Sequence, residues 1–78
     1  MSFDDKILVA LYNVAVENGK PGGYSICQLI PEGCTLLDAR EAATRLQSQG
    51  YITIPQGMPA SPIVYITDKC CMRAQSLL

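Results

Sequence analysis

Four cysteines are the most reactive side chains in this sequence: Cys27, Cys34, Cys70 and Cys71. They form no CxxC pair, and two adjacent cysteines are poorly placed to ligate one tetrahedral zinc ion. Because the sequence contains no histidine, a cysteine nucleophile would lack the neighbouring base that activates it. We therefore expect no metal site, no cofactor and no enzymatic activity, and we interpret the thiols as reduced and mostly buried.

The composition predicts one small folded domain spanning residues 1–78. Hydrophobic residues make up 49% of the chain and charged residues 17%, a balance that is typical of globular proteins rather than disordered ones. A single core in a chain of this length supplies little net stability, so we expect a supplement such as self-association. The net charge of -1 and the isoelectric point near 5.0 give no electrostatic reason for strong non-specific attraction to a polyanion.

The N-terminus and the hydropathy pattern bear on the compartment. The opening MSFDDK is acidic, whereas a signal peptide begins with a basic segment followed by an apolar one. Nor does any apolar run approach the roughly 18 residues that a bilayer-spanning helix needs. From these patterns we expect a soluble, cytoplasmic protein that does not associate with membranes.

The first predicted element is a helix from about Phe3 to Asn18. Ser2 is followed three residues later by Asp5, which resembles a capping box. Gly19 suits the left-handed conformation that commonly ends a helix. Both ends of the helix are therefore marked by the residues beside them.

This helix is more apolar than one interface requires. Its polar positions form a single narrow stripe: Lys6, Asn13 and Glu17. Apolar side chains cover nearly everything else. Two interpretations remain open: the helix is sandwiched inside the domain, or one of its flanks contacts a second copy of the chain in a homodimer. The residues of that flank are Val9, Tyr12 and Val16.

The next two segments differ in how strongly they are specified. Tyr24–Ile30 is a short apolar stretch closed by Pro31, which we interpret as a brief second helix, although a strand also fits a run of this length. Thr35–Ser48 is predicted as a third helix, because Asp38 completes a capping box and Gly50 provides a stop.

The pattern changes after this helix. Tyr51–Ile54 and Ile63–Thr67 are rich in β-forming residues and predict two paired strands. Between them, Pro55–Pro62 contains three prolines, which exclude continued pairing and indicate an exposed loop. A final helix is predicted over Lys69–Leu78, with Asp68 as its N-cap.

Two stretches resemble parts of bacterial winged helix-turn-helix regulators. EAATRLQSQGYI, from Glu41 to Ile52, is similar to the end of the recognition helix running into the first wing strand. YITDKCCMRAQSLL, from Tyr65 to Leu78, is similar to the second wing strand entering the last helix. The resemblance implies an α+β winged helix-turn-helix fold with three helices, a two-stranded β-hairpin wing and a C-terminal helix.

The resemblance also implies binding to double-stranded DNA as a homodimer, in transcriptional or replication-linked regulation. The third helix would then enter the major groove, with the hairpin near the DNA backbone. The side chains able to bond base edges there are Arg40, Thr44 and Arg45. However, Glu41 precedes Arg45 by four residues, a spacing that favours an ion pair within the helix.

An alternative function belongs to a different class. A winged-helix interaction module without any nucleic-acid role would bind a protein partner through Leu37, the proline-rich hairpin tip and Met58. The acidic net charge and a tip without basic residues favour this alternative. A continuous positive surface on the folded chain would favour DNA instead.

Overall fold

The fold is described from a computed structural model, which covers residues 2–30, 33–55 and 62–78. These residues form three α-helices, a short 3-10 helix and one antiparallel sheet of three strands, an α+β architecture as predicted. In chain order the elements are α1 (Phe3–Asn18), β1 (Gly22–Ser25), the 3-10 helix (Ile26–Leu29), α2 (Leu36–Ser48), β2 (Ile52–Thr53), β3 (Ile63–Ile66) and α3 (Asp68–Leu77).

The ends of α1 are formed by the predicted caps. The Ser2 hydroxyl accepts a hydrogen bond from the backbone N–H of Asp5 at 3.2 Å. At the other end Gly19 has φ 70°, and its N–H donates to the carbonyl of Ala15 at 2.9 Å. These bonds satisfy backbone groups that a helix terminus leaves without an intrahelical partner.

The capping box of α2 is also confirmed. The backbone N–H of Asp38 donates to the Thr35 hydroxyl at 3.2 Å. The Asp38 carboxylate in turn accepts from the Thr35 N–H at 3.1 Å. For α3 the predicted cap is wrong by one residue. Thr67 is the N-cap and its hydroxyl accepts from the Cys70 N–H at 3.4 Å, while Asp68 is the first helical residue.

The sheet confirms one prediction and corrects another. β2 and β3 pair antiparallel, with Ile52 opposite Ile66 and Thr53 opposite Tyr65. The predicted ribbon of two strands is nevertheless incomplete, because β1 pairs with the other edge of β3 and gives the order β1-β3-β2. The segment interpreted as a brief second helix therefore supplies a strand and a single 3-10 turn.

The sequence left a strand in this segment as one of two alternatives, because β1 is short and irregular. Its register against β3 shifts between Gly22 and Tyr24, so Gly23 is the extra residue of a β-bulge, with φ 89°. An open edge of β3 can pair with such a segment although the segment has no alternating pattern of its own. The pattern of hydrophobic residues within β1 therefore does not predict its pairing with β3.

The hydrophobic core lies around α1, which packs against α2, α3 and β3. Its fully buried side chains include Ile7, Leu8 and Leu11. Val9 is only 7% exposed and belongs to the same core. The interpretation of α1 as a helix sandwiched inside the domain is therefore the one that accounts for most of its apolar surface.

Part of the predicted hairpin loop lies outside the described residues. These are residues 56–61, which include Met58. Pro55 is exposed, as expected for a loop. Pro62 is buried, and its carbonyl accepts a hydrogen bond from Ile26 N–H at 3.0 Å, so the end of the predicted loop is part of the packed structure.

Within the described part of the chain, none of the helices is both long and apolar enough to cross a bilayer.

Candidate nucleic-acid interface

The exposed face of α2 is the candidate interface because the helix buries its opposite face. Its buried residues are Ala39, Ala42, Ala43 and Leu46. The small alanine side chains permit close packing of α2 against α1 and the 3-10 helix. The exposed positions opposite this buried face include Leu37, Glu41, Thr44 and Ser48. This face is polar apart from one leucine.

Arg40 and Thr44 lie together on one flank of this face. The Thr44 hydroxyl donates to the backbone carbonyl of Arg40 at 3.0 Å, and both residues line a shallow hollow of about 200 Å³ together with Leu37 and Glu41. Arg40 is half-buried, and its Nε is inaccessible to solvent. The Nε end of the guanidinium is therefore held against the protein rather than extended into solvent.

Arg45 lies on the other flank, where it contacts the N-terminal turn of α1. Its Nε donates to one carboxylate oxygen of Asp4 at 2.8 Å, and its Nη2 donates to the other at 2.7 Å. The hydrogen bond from Arg45 lowers the pKa of the Asp4 carboxyl below its usual value. The same bond raises the pKa of the arginine. A parallel pair of charge-assisted bonds of this kind fixes the orientation of both groups.

This geometry changes the expected role of Glu41. The sequence predicts an ion pair between Glu41 and Arg45 within one helix, but the hydrogen-bonded partner of Arg45 is Asp4. Glu41 acts on Arg45 only through its charge, which contributes to the raised pKa of the arginine. The Glu41 side chain is exposed on the open face of α2.

The three residues predicted to contact DNA are thus divided between two flanks. Five positions separate Arg40 from Arg45, which on an ideal helix corresponds to roughly 140° of rotation. Arg40 and Thr44 share one flank. Arg45 lies on the other flank, where it bonds Asp4 and lines a second hollow together with Cys34.

Two other basic residues, Lys69 and Arg73, also contact groups of the same chain. Lys69 Nζ donates to the carbonyl of Gln49 at 2.6 Å and lies 4.8 Å from the centre of the Tyr51 ring. Arg73 lies 3.6 Å from a carboxylate oxygen of Asp5. Positive charges therefore alternate with carboxylates next to α1, and Lys69 caps the C-terminal end of α2.

The predicted dimer residues are not all on the surface. Val9 is buried in the core. Tyr12 is half-buried and its hydroxyl accepts from Gln75 Nε2 at 3.2 Å, whereas Val16 is 62% exposed. Tyr12 and Val16 line an apolar hollow of about 250 Å³, which we call the α1–α3 groove. Its other residues include Ala15, Ile66 and Cys71.

The cysteines carry no recognisable site. All four are free thiols, and no cluster with the composition of a metal site occurs among residues 2–30, 33–55 and 62–78. Cys70 is buried. Its burial, with a smaller contribution from the neighbouring Cys71, raises the pKa of Cys70 to about 12. That thiol is neutral near pH 7 and is a poor nucleophile.

Asp4 is the functional candidate that sequence reasoning missed. Acidic residues in the first turn of a helix have a sufficient local explanation in the helix dipole. Asp4 and Arg45 are 41 positions apart, so no short-range pattern connects them. Comparison of the chain with family models, with curated proteins and with solved structures found no match.

Proposed function

We propose that this protein is a small winged-helix protein that binds double-stranded DNA and acts as a regulator of transcription or replication. The observation that carries the proposal is the combination of element order and sheet order. The strand β3, the last of the three in chain order, lies between β1 and β2, and α2 leads directly into the β2–β3 hairpin. This arrangement supports a helix-turn-helix with an attached wing.

The local geometry is compatible with such a unit. The 3-10 helix packs against α2, as the first element of a helix-turn-helix packs against its recognition helix. The buried alanines of α2 keep its polar face directed away from the core. An α-helix presented in this way has the dimensions to enter the major groove.

On this proposal Arg40, Thr44 and Arg45 contact DNA from the two flanks of α2. Arg40 is the candidate for the phosphate backbone, because it lines the open hollow on the exposed face of the helix. Thr44 is short and exposed beside it, and threonine hydroxyls bond either bases or phosphates. The charges of Asp38 and Glu41 offset those of the arginines, so binding is expected to be weak in the absence of a preferred sequence.

DNA binding is tested by titrating a fluorescent random-sequence duplex at about 50 and 200 mM salt. We expect binding that weakens with salt, and we expect the double variant Arg40→Ala, Arg45→Ala to lose it. The matched control is Gln47→Ala, because Gln47 is an exposed uncharged residue of the same helix. Retention of DNA by the double variant at moderate salt would contradict the proposal.

The protein is further proposed to act as a homodimer through the α1–α3 groove. Val16 lines this groove and is 62% exposed, so two copies related by a two-fold axis can bring their Val16 side chains and grooves into contact. Two-fold symmetry of this kind is what a palindromic operator with two half-sites requires of a dimeric protein.

The dimer is tested by sedimentation of Val16→Glu at micromolar concentration. A charged side chain in the groove should convert a wild-type dimer into monomers. Leu37→Glu is the matched control, because Leu37 is 60% exposed, nearly the same as Val16 at 62%, but lies on α2. A wild-type chain that sediments as a monomer would contradict the dimer.

A second candidate function is protein binding through α2. It is favoured by Leu37, which is 60% exposed, and by Leu36 beside it at 39%. It is also favoured by the carboxylates of Asp4 and Asp5, because they interrupt the positive surface that would favour DNA. A leucine at the centre of a DNA-reading face has only the thymine methyl group as an apolar partner. If this candidate is right, Leu37→Glu abolishes association with the partner, and the wild-type chain leaves random-sequence DNA unbound at low salt.

A further inference from the structure

The pair formed by Asp4 and Arg45 has a geometry that leaves part of the guanidinium open. Asp4 occupies the side of the group that carries Nε and Nη2. A guanidinium has five N–H donors in a fixed plane. Two are used by Asp4, so three remain on Nη1 and Nη2, and none of these three makes a hydrogen bond to the described residues. The side chain of Arg45 is 50% exposed.

These open donors form the edge of the guanidinium that accommodates two acceptor atoms lying side by side. Guanine presents such a pair, O6 and N7, in the major groove. The orientation of the edge is fixed before binding, because two short bonds to Asp4 restrict rotation of the Arg45 group. Less conformational entropy is therefore lost when a base is bound.

The charge of the Asp4–Arg45 pair favours a base, rather than a phosphate, as the partner of Arg45. The Asp4 carboxylate lies 2.7 Å from Nη2 of Arg45, so at longer range the two charges cancel. A neutral pair releases few counterions when it approaches the DNA backbone. The Asp4 carboxylate also repels a phosphate placed next to Arg45, whereas the acceptors of a guanine carry no net charge.

We propose that Asp4 is a positioning residue that holds Arg45 for bidentate recognition of a guanine, so that Arg45 supplies sequence preference and little of the salt-dependent attraction to DNA. This inference rests on the proposed DNA-binding function. The N-terminal turn of α1, which carries Asp4, would then contribute to the recognition of a base by α2. The two arginines would have different roles, because Arg45 would contact a base and Arg40 would contact the phosphate backbone.

The test uses two probes: a pool of duplexes with a randomised centre, for selection, and one fixed random-sequence duplex, for titration over a range of salt. We expect the wild type to enrich a guanine at one position. Arg45→Ala should reduce that preference by about 5- to 150-fold. The salt slope on the fixed duplex is measured for the double variant Asp4→Asn, Arg45→Ala, which removes both charges of the pair. It should remain that of the wild type, because no phosphate contact is lost and no unpaired carboxylate is left beside the DNA.

Asp4→Asn should steepen the salt slope and lower the preference for guanine. Releasing the charge of Arg45 steepens the salt slope by up to about 0.9 and strengthens binding to the fixed duplex, while the guanine preference falls. Asp5→Asn is the matched control, since it makes the same change of net charge one residue away and removes a looser contact, 3.6 Å from Arg73. It should leave the guanine preference intact.

Circular dichroism establishes that each variant is folded. If Asp4→Asn does not fold, Arg45→Lys replaces it, because lysine keeps the charge but lacks the planar pair of donors. Arg45→Lys should lose the guanine preference without a change of salt slope, and a lysine variant that keeps the preference overturns the proposal.

Other outcomes separate this inference from the proposed function. If the double variant Asp4→Asn, Arg45→Ala flattens the salt slope by about 0.9 and Arg45→Ala leaves sequence preference unchanged, Arg45 is a phosphate contact and the inference is wrong. Full guanine preference in folded Asp4→Asn also overturns it, as does salt-dependent binding by the wild type with no enriched guanine. In these cases DNA binding itself stands. Failure of the wild type to bind either probe at low salt contradicts the proposed function, and the inference falls with it.

Discussion

Replacing Gly22 by alanine should destabilise the sheet, because the space for a side chain is already occupied. Gly22 in β1 is the register partner of Tyr65 in the central strand β3. A Cβ built on Gly22 overlaps the aromatic ring of Tyr65 at three of its atoms. The backbone of Gly22 lies outside the left-handed region, so the collision with Tyr65, rather than the backbone conformation, sets the cost.

The size of the effect follows from two opposing contributions. Overpacking of this kind costs about 1–3 kcal/mol. Alanine also restricts the unfolded chain, which stabilises a protein by about 0.4–1 kcal/mol where the new side chain fits. The clash is the larger contribution, although Tyr65 is 41% exposed and is therefore able to turn outward. We expect a net loss of about 1–2 kcal/mol, which lowers the melting temperature of a domain this small by about 4–16 °C.

Thermal unfolding followed by circular dichroism measures this loss in a double-mutant cycle with Tyr65→Thr. Removing the ring should restore most of the stability that Gly22→Ala loses. Gly23→Ala is the control, because Gly23 has φ 89° and, its two chain neighbours aside, no atom of the described residues lies within 4 Å of the point that a Cβ would occupy there. Its cost should therefore persist in the Tyr65→Thr background. A Gly22→Ala protein as stable as the wild type, or a coupling energy below about 0.5 kcal/mol, would refute the reasoning.

Three further predictions concern the helix caps and the titratable groups. Thr35→Ala removes the hydroxyl that caps α2 and should cost about 0.5–2 kcal/mol in chemical denaturation; an unchanged denaturation midpoint would show that the capping bond contributes nothing. The lowered pKa of Asp4 means that the stability from its pair with Arg45 is present above the usual carboxyl pKa of 3.8 and is lost as the pH falls through the lowered pKa. Asp4→Asn should therefore melt below the wild type near neutral pH, and the difference should shrink toward zero in strong acid; a difference that is constant with pH contradicts this. Cys70, with its pKa raised to about 12 by burial, should be the last of the four thiols to react with iodoacetamide at mildly alkaline pH, as counted by mass spectrometry of the native and the denatured protein. Early labelling of Cys70 would show that it is accessible in the folded state.

Several features of this fold could be predicted because their causes are local. The caps of α1 and α2 depend on residues within three positions of each other, such as Thr35 and Asp38, and such patterns are visible in any single sequence. Pairing of β2 with β3 was predictable in the same way, since β-forming runs on both sides of a proline-rich connection favour a hairpin.

The features that the sequence left open depend on distant partners. β1 is a strand only because an edge of β3 is available to it, and its bulge at Gly23 removes the alternation by which strands are recognised. The sequence did not decide whether Val9 is buried in the core. An apolar helix has the same sequence pattern whether its second face contacts another helix of the same chain or another molecule.

The candidate site shows the same division. From the sequence alone, α2 was identifiable as a helix with arginines on its exposed side, because the 3.6-residue period and the caps determine which side chains share a face. Only the tertiary structure decided that Arg45 bonds Asp4 rather than Glu41. Helix geometry places Glu41 near Arg45, but the packing of α1 against α2 brings a carboxylate to the guanidinium in a better orientation, and that packing is set by the core of the whole chain.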